Sequence, residues 1–319
     1  MTERGSTEAP GGLRDLPGPG RPPVPPWPGE IVRAGRHELL VRRGPGGAAG
    51  PGRPLAVLVH GLGGASTNWT DLMQLLGDRV SAVAPDLPGF GLSPPPPRGD
   101  YRLAVHVDAV ERLVEEVAGG PVHLFGNSLG GAVATRLAAR RPDLVTTLTL
   151  ISPALPDLRP RRGTDWRLGV LLVPGLARAG ARWLARRPAT SRARAIAELC
   201  LADPDRLPPE RVEEAVAELE RRRGLAWNDE SLIRSLRGLV AAHLVRGPGS
   251  LWGDAASVRA PTLLVWGRQD RLVHPSVGER AARTFPAARL LVLDRCGHVA
   301  QIEDPVAVAR AWLGLVAAG

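Results

Sequence analysis

The stretch VHLFGNSLGGAVATRLAARR, residues 122–141, decides the fold. A short apolar run (VHLFGN) passes through a tight Gly-bounded junction at Ser128 and continues directly into a helical pattern (LGGAVATRLAARR). Small residues at Gly126 and Gly130 suit a sharp turn where neighbouring backbone comes close. Outward from this junction the chain repeats the same alternation. Strand-like runs are HELLVRR (37–43), LAVLVHG (55–61), VSAVAPD (80–86), VTTLTLIS (145–152), PTLLVWG (261–267) and ARLLVLD (288–294). They are rich in Val and Leu and mostly apolar on both faces, as buried parallel strands are. Helical patterns fall near 68–76, 102–118, 129–140, 275–284 and 305–317. Strands alternating with helices predict an α/β fold, a parallel sheet wrapped by helices.

Three segments break the rhythm. Residues 1–30 are rich in Pro and Gly and cannot bury enough apolar surface to offset their ordering entropy, so they are expected to form a flexible tail. A Gly/Pro stretch at 44–54 is expected to be a loop between strands. From 154 to 255 the pattern is helical and holds four of the eight Trp: Trp166, Trp183, Trp227 and Trp252. An insertion of this length is too long for a plain loop. The expected organisation is a tail (1–30), a core (31–153 with 256–319) and a helical cap (154–255).

The 319 residues carry a net charge of +9, and all 41 basic residues are Arg. With 38 Gly and 32 Pro, this is the composition of a high-GC genome. No clustered recognition element accompanies the Arg, so nucleic acid is not an expected partner. Two cysteines, Cys200 and Cys296, suggest no disulfide framework and a reducing compartment. No apolar h-region follows Met1, and the longest apolar run, near 168–177, is too short to cross a bilayer. A cytoplasmic location is therefore expected.

Gly126-Asn127-Ser128-Leu129-Gly130 fits G-x-S-x-G between a strand and a helix, the context of a nucleophile elbow. Such a turn lifts a Ser oxygen to a helix N-terminus, where the Leu129 N–H can donate to a developing oxyanion. A Ser hydroxyl needs a base. His298 lies just past the last strand-like run, at the carboxyl edge of the sheet where ligands bind in such folds. The other histidines fit worse: His37 and His123 lie on strands, His106 and His243 on helical segments, and His274 opens a helix. His60 belongs to His60-Gly61-Leu62-Gly63-Gly64, whose Leu62 N–H is the second candidate oxyanion donor. Asp270 follows another strand and would fix the His298 tautomer; Asp294 and Asp157 are its rivals. Asp86, in PDLPGFG, is expected to organise a turn. There is no metal-ligand spacing and no cofactor motif.

HGLGG (60–64), PDLPGFGLS (85–93), GNSLGG (126–131), WGRQDRLVHP (266–275) and CGHVAQIEDP (296–305) together resemble the α/β-hydrolase superfamily over residues 31–317. The resemblance implies an eight-stranded, mostly parallel sheet with a cap after the sixth strand, and acyl transfer through Ser128. The favoured expectation is cofactor-free hydrolysis of a small or medium carboxylic ester. Relatives that open epoxides or remove halides carry Asp at the nucleophile position, so Ser128 argues against both. Carbon–carbon hydrolases of vinylogous diketones share GNSLGG but have Trp where Val299 stands and GPGA where this chain has Gly63-Gly64-Ala65-Ser66. That reading ranks second. Haloperoxidases and perhydrolases share the triad, and a ligand receptor on the same fold is the non-enzyme alternative. Residues 166–187, with Leu168, Leu171, Leu172, Leu176, Trp183 and Leu184 as apolar stripes and Arg178, Arg182, Arg186 and Arg187 beyond, are expected to form two short helices broken at Pro174-Gly175. They face the pocket; weak peripheral contact with an anionic membrane is the sharper alternative.

Overall fold

The computed structural model describes residues 23–45, 53–157, 180 and 186–318. The expected tail up to residue 22, the centre of the 44–54 loop, and the 166–187 helices apart from Gly180, Arg186 and Arg187 lie outside the described residues.

Eight strands form one sheet: β1 Gly29–Ala34, β2 His37–Arg43, β3 Leu55–Val59, β4 Ser81–Pro85, β5 Val122–Asn127, β6 Val145–Ile151, β7 Thr262–Gly267 and β8 Ala288–Leu293. Their order is β1-β2-β4-β3-β5-β6-β7-β8. Strand β2 runs antiparallel to both β1 and β4; every pairing from β4 to β8 is parallel. The helices among the described residues are α1 Thr70–Leu76, α2 Leu103–Val117, α3 Leu129–Arg140, α4 Ala189–Cys200, α5 Pro209–Arg223, α6 Asn228–Leu244, α7 Leu251–Ser257, α8 Ser276–Thr284, α9 Ala300–Glu303 and α10 Pro305–Val316.

The two-residue period of a strand divides the core into two layers. Leu55, Val57 and Val59 of β3 face one cluster, with Leu113 of α2, Leu137 of α3 and Ala281 of α8. Ala56 and Leu58 of the same strand face the other, with Leu72 and Leu76 of α1 and Trp312 of α10. All five residues of β3 are therefore buried, which is why the run reads as continuously apolar.

The structure corrects three expectations. The chain from Val24 onward is anchored: the Val24 carbonyl accepts from Arg211 at 2.8 Å, the Trp27 carbonyl accepts from Arg42 at 2.6 Å, and β1 begins at Gly29. The sequence hid this because β1 is a half-exposed edge strand, with Ile31 57% exposed, so its apolar signal is weak. Second, α7 is part of the main core, with Leu251 and Ala255 fully buried against the α3 layer and Arg136 of α3 paired to Asp254 at 2.7 Å. Packing, not the helical pattern, puts the core boundary before residue 251. Third, β8 is only half-buried, as an edge strand must be.

Helix α3 lies backbone-on-backbone against the sheet. A Cβ on Gly130 would stand 2.2 Å from the Val59 carbonyl oxygen, and one on Gly126 would stand 2.4 Å from that of Gly130. Neither contact can relax by a side chain turning away. Gly130→Ala is expected to destabilise the protein by about 3 kcal/mol, measured as a lowered urea midpoint at unchanged slope. A shift no larger than that of an exposed control such as Gly119→Ala, whose Cβ meets nothing, would refute this packing.

Candidate active site

Four loops meet at the carboxyl ends of the parallel strands. They follow β3 (His60–Gly64), β5 (Ser128), β7 (Asp270) and β8 (His298).

Ser128 caps α3 with φ +53° and ψ −115°, a conformation that costs a non-glycine residue about 1–3 kcal/mol. The surroundings over-determine it. Its N–H donates to the Ile151 carbonyl at 3.1 Å, and its own carbonyl accepts from Ala132 at 3.1 Å and Ala154 at 2.9 Å. Leu129 is the first residue of α3, so its N–H has no acceptor within the helix. Gly61 packs on the turn: a Cβ there would stand 3.1 Å from Ser128 Cβ. The loop bearing Leu62 therefore lies directly against the Ser128 turn.

His298 is buried, and its Nδ1–H donates to the Asp270 carboxylate at 2.9 and 3.1 Å. Asp270 Oδ1 also accepts from the Leu272 and Val273 N–H groups at 2.8 and 2.9 Å. Burial opposes the Asp270 charge, but the facing His298 and the Val273 N–H outweigh it and hold the carboxyl below its ordinary range. An ionised, fixed carboxylate keeps the proton on Nδ1 and leaves Nε2 with its lone pair, the tautomer a general base needs. Asp294 is elsewhere, exposed and paired with Arg268 at 2.6 Å. The Asp157 rivalry has no opening either, since Asp270 already occupies Nδ1.

The His298 backbone is pinned on both sides. Its N–H donates to the Cys200 carbonyl at 2.7 Å, and its carbonyl accepts from Asn127 Nδ2 at 3.0 Å. The same Asn127 amide donates to the Ile151 carbonyl at 3.0 Å, so one side chain ties the β5 turn to the β6 end and the His298 loop. Glu303 adds a second tie, accepting from Gly297 N–H and Ala202 N–H, each at 2.7 Å. Sequence reasoning missed Asn127 and Glu303 as holding groups. Both lie inside the quoted motifs, but their partners lie far away along the chain.

The remaining candidates are structural. His60 donates from Nδ1 to the Gly61 carbonyl at 2.7 Å and accepts the Leu87 N–H on Nε2 at 2.9 Å. Burial pushes its pKa down, so it is a neutral strut. Asp86 accepts from Ser66 N–H at 2.6 Å and Leu92 N–H at 2.9 Å, the turn-organising role expected of it. Cys200 and Cys296 are free, and burial pushes both thiols up to about 12, so neither is a thiolate nucleophile at neutral pH. No group of three or more potential metal ligands occurs among the described residues. No helix among them is long and apolar enough to cross a membrane.

The family described as the alpha/beta hydrolase fold matches residues 54–305, a span that includes all four loops. The chain is 28% identical over 267 residues to a 2-hydroxy-6-oxononadienedioate/2-hydroxy-6-oxononatrienedioate hydrolase of Cupriavidus pinatubonensis (strain JMP 134 / LMG 1197), covering 82% of this chain and 86% of that one. It is 27% identical over 281 residues to a 2-hydroxy-6-oxo-6-phenylhexa-2,4-dienoate hydrolase of Burkholderia cepacia, covering 85% and 90%. The solved structure of a 2-hydroxy-6-oxo-6-phenylhexa-2,4-dienoate hydrolase from Rhodococcus sp. strain RHA1 superposes with a TM-score of 0.71 at 23% identity, over 91% of this chain and all of that one, a likeness of fold. Sheet order, elbow and matched span agree: the chain belongs to the α/β-hydrolase fold family.

Proposed function

We propose that this protein is a serine hydrolase acting on a carbonyl carbon, with Ser128 as nucleophile, His298 as base and Asp270 as the group that orients it. The observation that carries the reading is the buried Asp270–His298 bond at 2.9 Å, beside a strained Ser on a helix N-terminus. Ser128 Oγ attacks the carbonyl carbon as His298 Nε2 takes its proton. The Leu62 and Leu129 N–H groups hold the oxyanion. Collapse expels the leaving group, which collects the proton from His298, and water then releases the acyl group from Ser128 by the same steps. No metal or organic cofactor enters. Of the described insertion, α4, α5 and α6 act as the cap over this site.

For the substrate, the relatives' names support a vinylogous 1,5-diketone cleaved at a carbon–carbon bond above the ester that the motifs alone favour. A carbon leaving group departs only when its charge is delocalised, which the conjugated enol acid provides and an ordinary ketone does not. The ester reading keeps one observation of its own: Val299 stands directly after His298, where the motif of the carbon–carbon hydrolases has Trp.

Four outcomes are expected. Purified protein should bleach a 2-hydroxy-6-oxo-dienoate with kcat/KM about 100-fold above that on p-nitrophenyl butyrate, a margin of about 2.7 kcal/mol in transition-state binding. The reverse ratio makes the protein an esterase, and Ser128→Ala must abolish either activity. Undiminished turnover in that variant would remove the nucleophile assignment. Asp270→Asn should lower kcat by about 10⁴-fold by releasing the wrong tautomer, with far-ultraviolet circular dichroism unchanged. The same variant should also alter acid stability. A carboxyl depressed on folding contributes stability above its unfolded value of about 4, and that contribution is lost as pH falls through the lower folded value. Urea midpoints taken downward from pH 5 should therefore fall more steeply for the native protein than for Asp270→Asn. Parallel curves would count against a depressed Asp270.

A further inference from the structure

Helix α5 of the insertion reaches the oxyanion loop through one side chain. Arg222 is only 8% exposed and donates from Nη1 to the Gly63 carbonyl at 2.8 Å. Its Nε donates to Glu218 Oε1 at 2.7 Å, while Glu218 Oε2 accepts from Arg221 at 2.6 Å. Glu218 is itself 5% exposed, so this is a buried, paired guanidinium whose one further contact recorded here is a backbone carbonyl of the loop.

The geometry of that loop gives the contact a consequence. A trans peptide unit is rigid, with its C=O and N–H pointing opposite ways. The unit linking Gly63 to Gly64 is held at both ends: its C=O accepts from Arg222, and its N–H donates to the Gly61 carbonyl at 3.0 Å. The Gly61 carbonyl belongs to the unit two back, whose other end is the Leu62 N–H, so this bond closes a turn over residues 61–64. That carbonyl also accepts from His60 Nδ1 at 2.7 Å. Two rigid planes, coupled by one hydrogen bond, thus connect Arg222 to the direction of the Leu62 N–H. The joints between them are Leu62 and Gly63, the second at φ +72° with no Cβ to resist rotation. Gly63 does not fix the loop by its own backbone preference, so bonds to the peptide units do, and the one made by Arg222 comes from outside the loop.

We propose that Arg222 is a positioning residue for the oxyanion hole: it aims the Leu62 N–H, so the hole is complete only while α5 is docked on the loop. The proposal rests on Ser128 being the nucleophile.

The test uses the full-length protein and Arg222→Met, Arg222→Lys and Arg222→Gln, with whichever substrate of the previous section is turned over. Two quantities are read: the kcat and KM split, and the inhibition constant of a trifluoromethyl ketone, whose adduct with Ser128 places an oxyanion in the hole. Arg222→Met should lower kcat by about 100-fold, with KM within threefold and ketone affinity falling by the same factor as kcat/KM. Arg222→Lys, which restores a cationic donor, should recover at least half of the loss on a logarithmic scale. Should Arg222→Met fail to fold, Arg222→Gln replaces it and the same proportionality is read. Ketone affinity unchanged in the folded variant, or a loss confined to KM, would overturn the proposal. Absence of fluorophosphonate labelling at Ser128 in the native protein would instead overturn the nucleophile reading beneath it.

Discussion

The close approach of α3 to the sheet governs the rest of the molecule. Placing a helix with its backbone against the carbonyls of Val59 and His60 requires glycine at 126 and 130, and it forces the intervening residue into a positive φ. Ser128 keeps that strained position through its own backbone bonds to the β6 end, the first turn of α3 and Ala154, while the Asn127 amide ties the β6 end to the His298 loop. The strain is therefore offset by the sheet rather than by the site. Catalytic geometry follows from the same constraint. The turn that brings backbone close also leaves Ser128 only partly buried, directly before the free N–H groups of the first turn of α3.

Much of this was legible in the sequence because it is local. The seven strand-like runs read from the sequence are β2 to β8, displaced by one or two residues at their ends, because each is a short apolar run bounded by turn residues. The loop positions of Ser128, Asp270 and His298 were legible for the same reason, since each follows a strand of a parallel sheet. What was not legible depends on contacts between distant segments. Strand β1 lacked apolar contrast. Helix α9 is only four residues long and leaves no period to read. Glu303 bonds Ala202 across about a hundred residues, and Arg222 bonds Gly63 across more than that. No spacing rule connects such pairs, because the fold creates their proximity.

The charge pattern shows the same division between composition and placement. Arg178, Arg182, Arg186 and Arg187 raised the alternative of contact with an anionic membrane, yet two other arginines of the insertion turn to the core, Arg222 buried and Arg211 partly buried. Arg222 reaches the oxyanion loop, and Arg211 pairs with Asp71 of α1 at 2.6 Å while bonding the Val24 carbonyl. Buried pairs of this kind contribute little net stability, because desolvation cancels most of the attraction, yet breaking one strands a charge and costs about 3–5 kcal/mol. Their value lies in fixing geometry. An insertion held by buried arginines has one docked position on the core, where an apolar interface of similar area would tolerate several.

That single docked position bears on how a substrate reaches Ser128. Among the described residues the insertion bonds to these loops at several places, including the end of α4 through the Cys200 carbonyl on His298 N–H and α5 through Arg222 on Gly63. Glu303 reinforces the first by bonding Ala202 and Gly297 together. Swinging α4 and α5 away as one body would break the His298–Cys200, Glu303–Ala202 and Arg222–Gly63 bonds at once. Each neutral bond is worth about 1 kcal/mol net and those to charged groups about 1.5–3, so the combined cost is about 4–7 kcal/mol, comparable with the low end of a domain's whole stability. The same motion would free the His298 loop from its backbone anchor. With His298 as the proposed base, a lid that released its loop at each opening would have to rebuild the site in every turnover. Substrate access without movement of α4 and α5 avoids that cost, which makes these two helices part of the catalytic scaffold in mechanical terms, although the chain places them in the insertion.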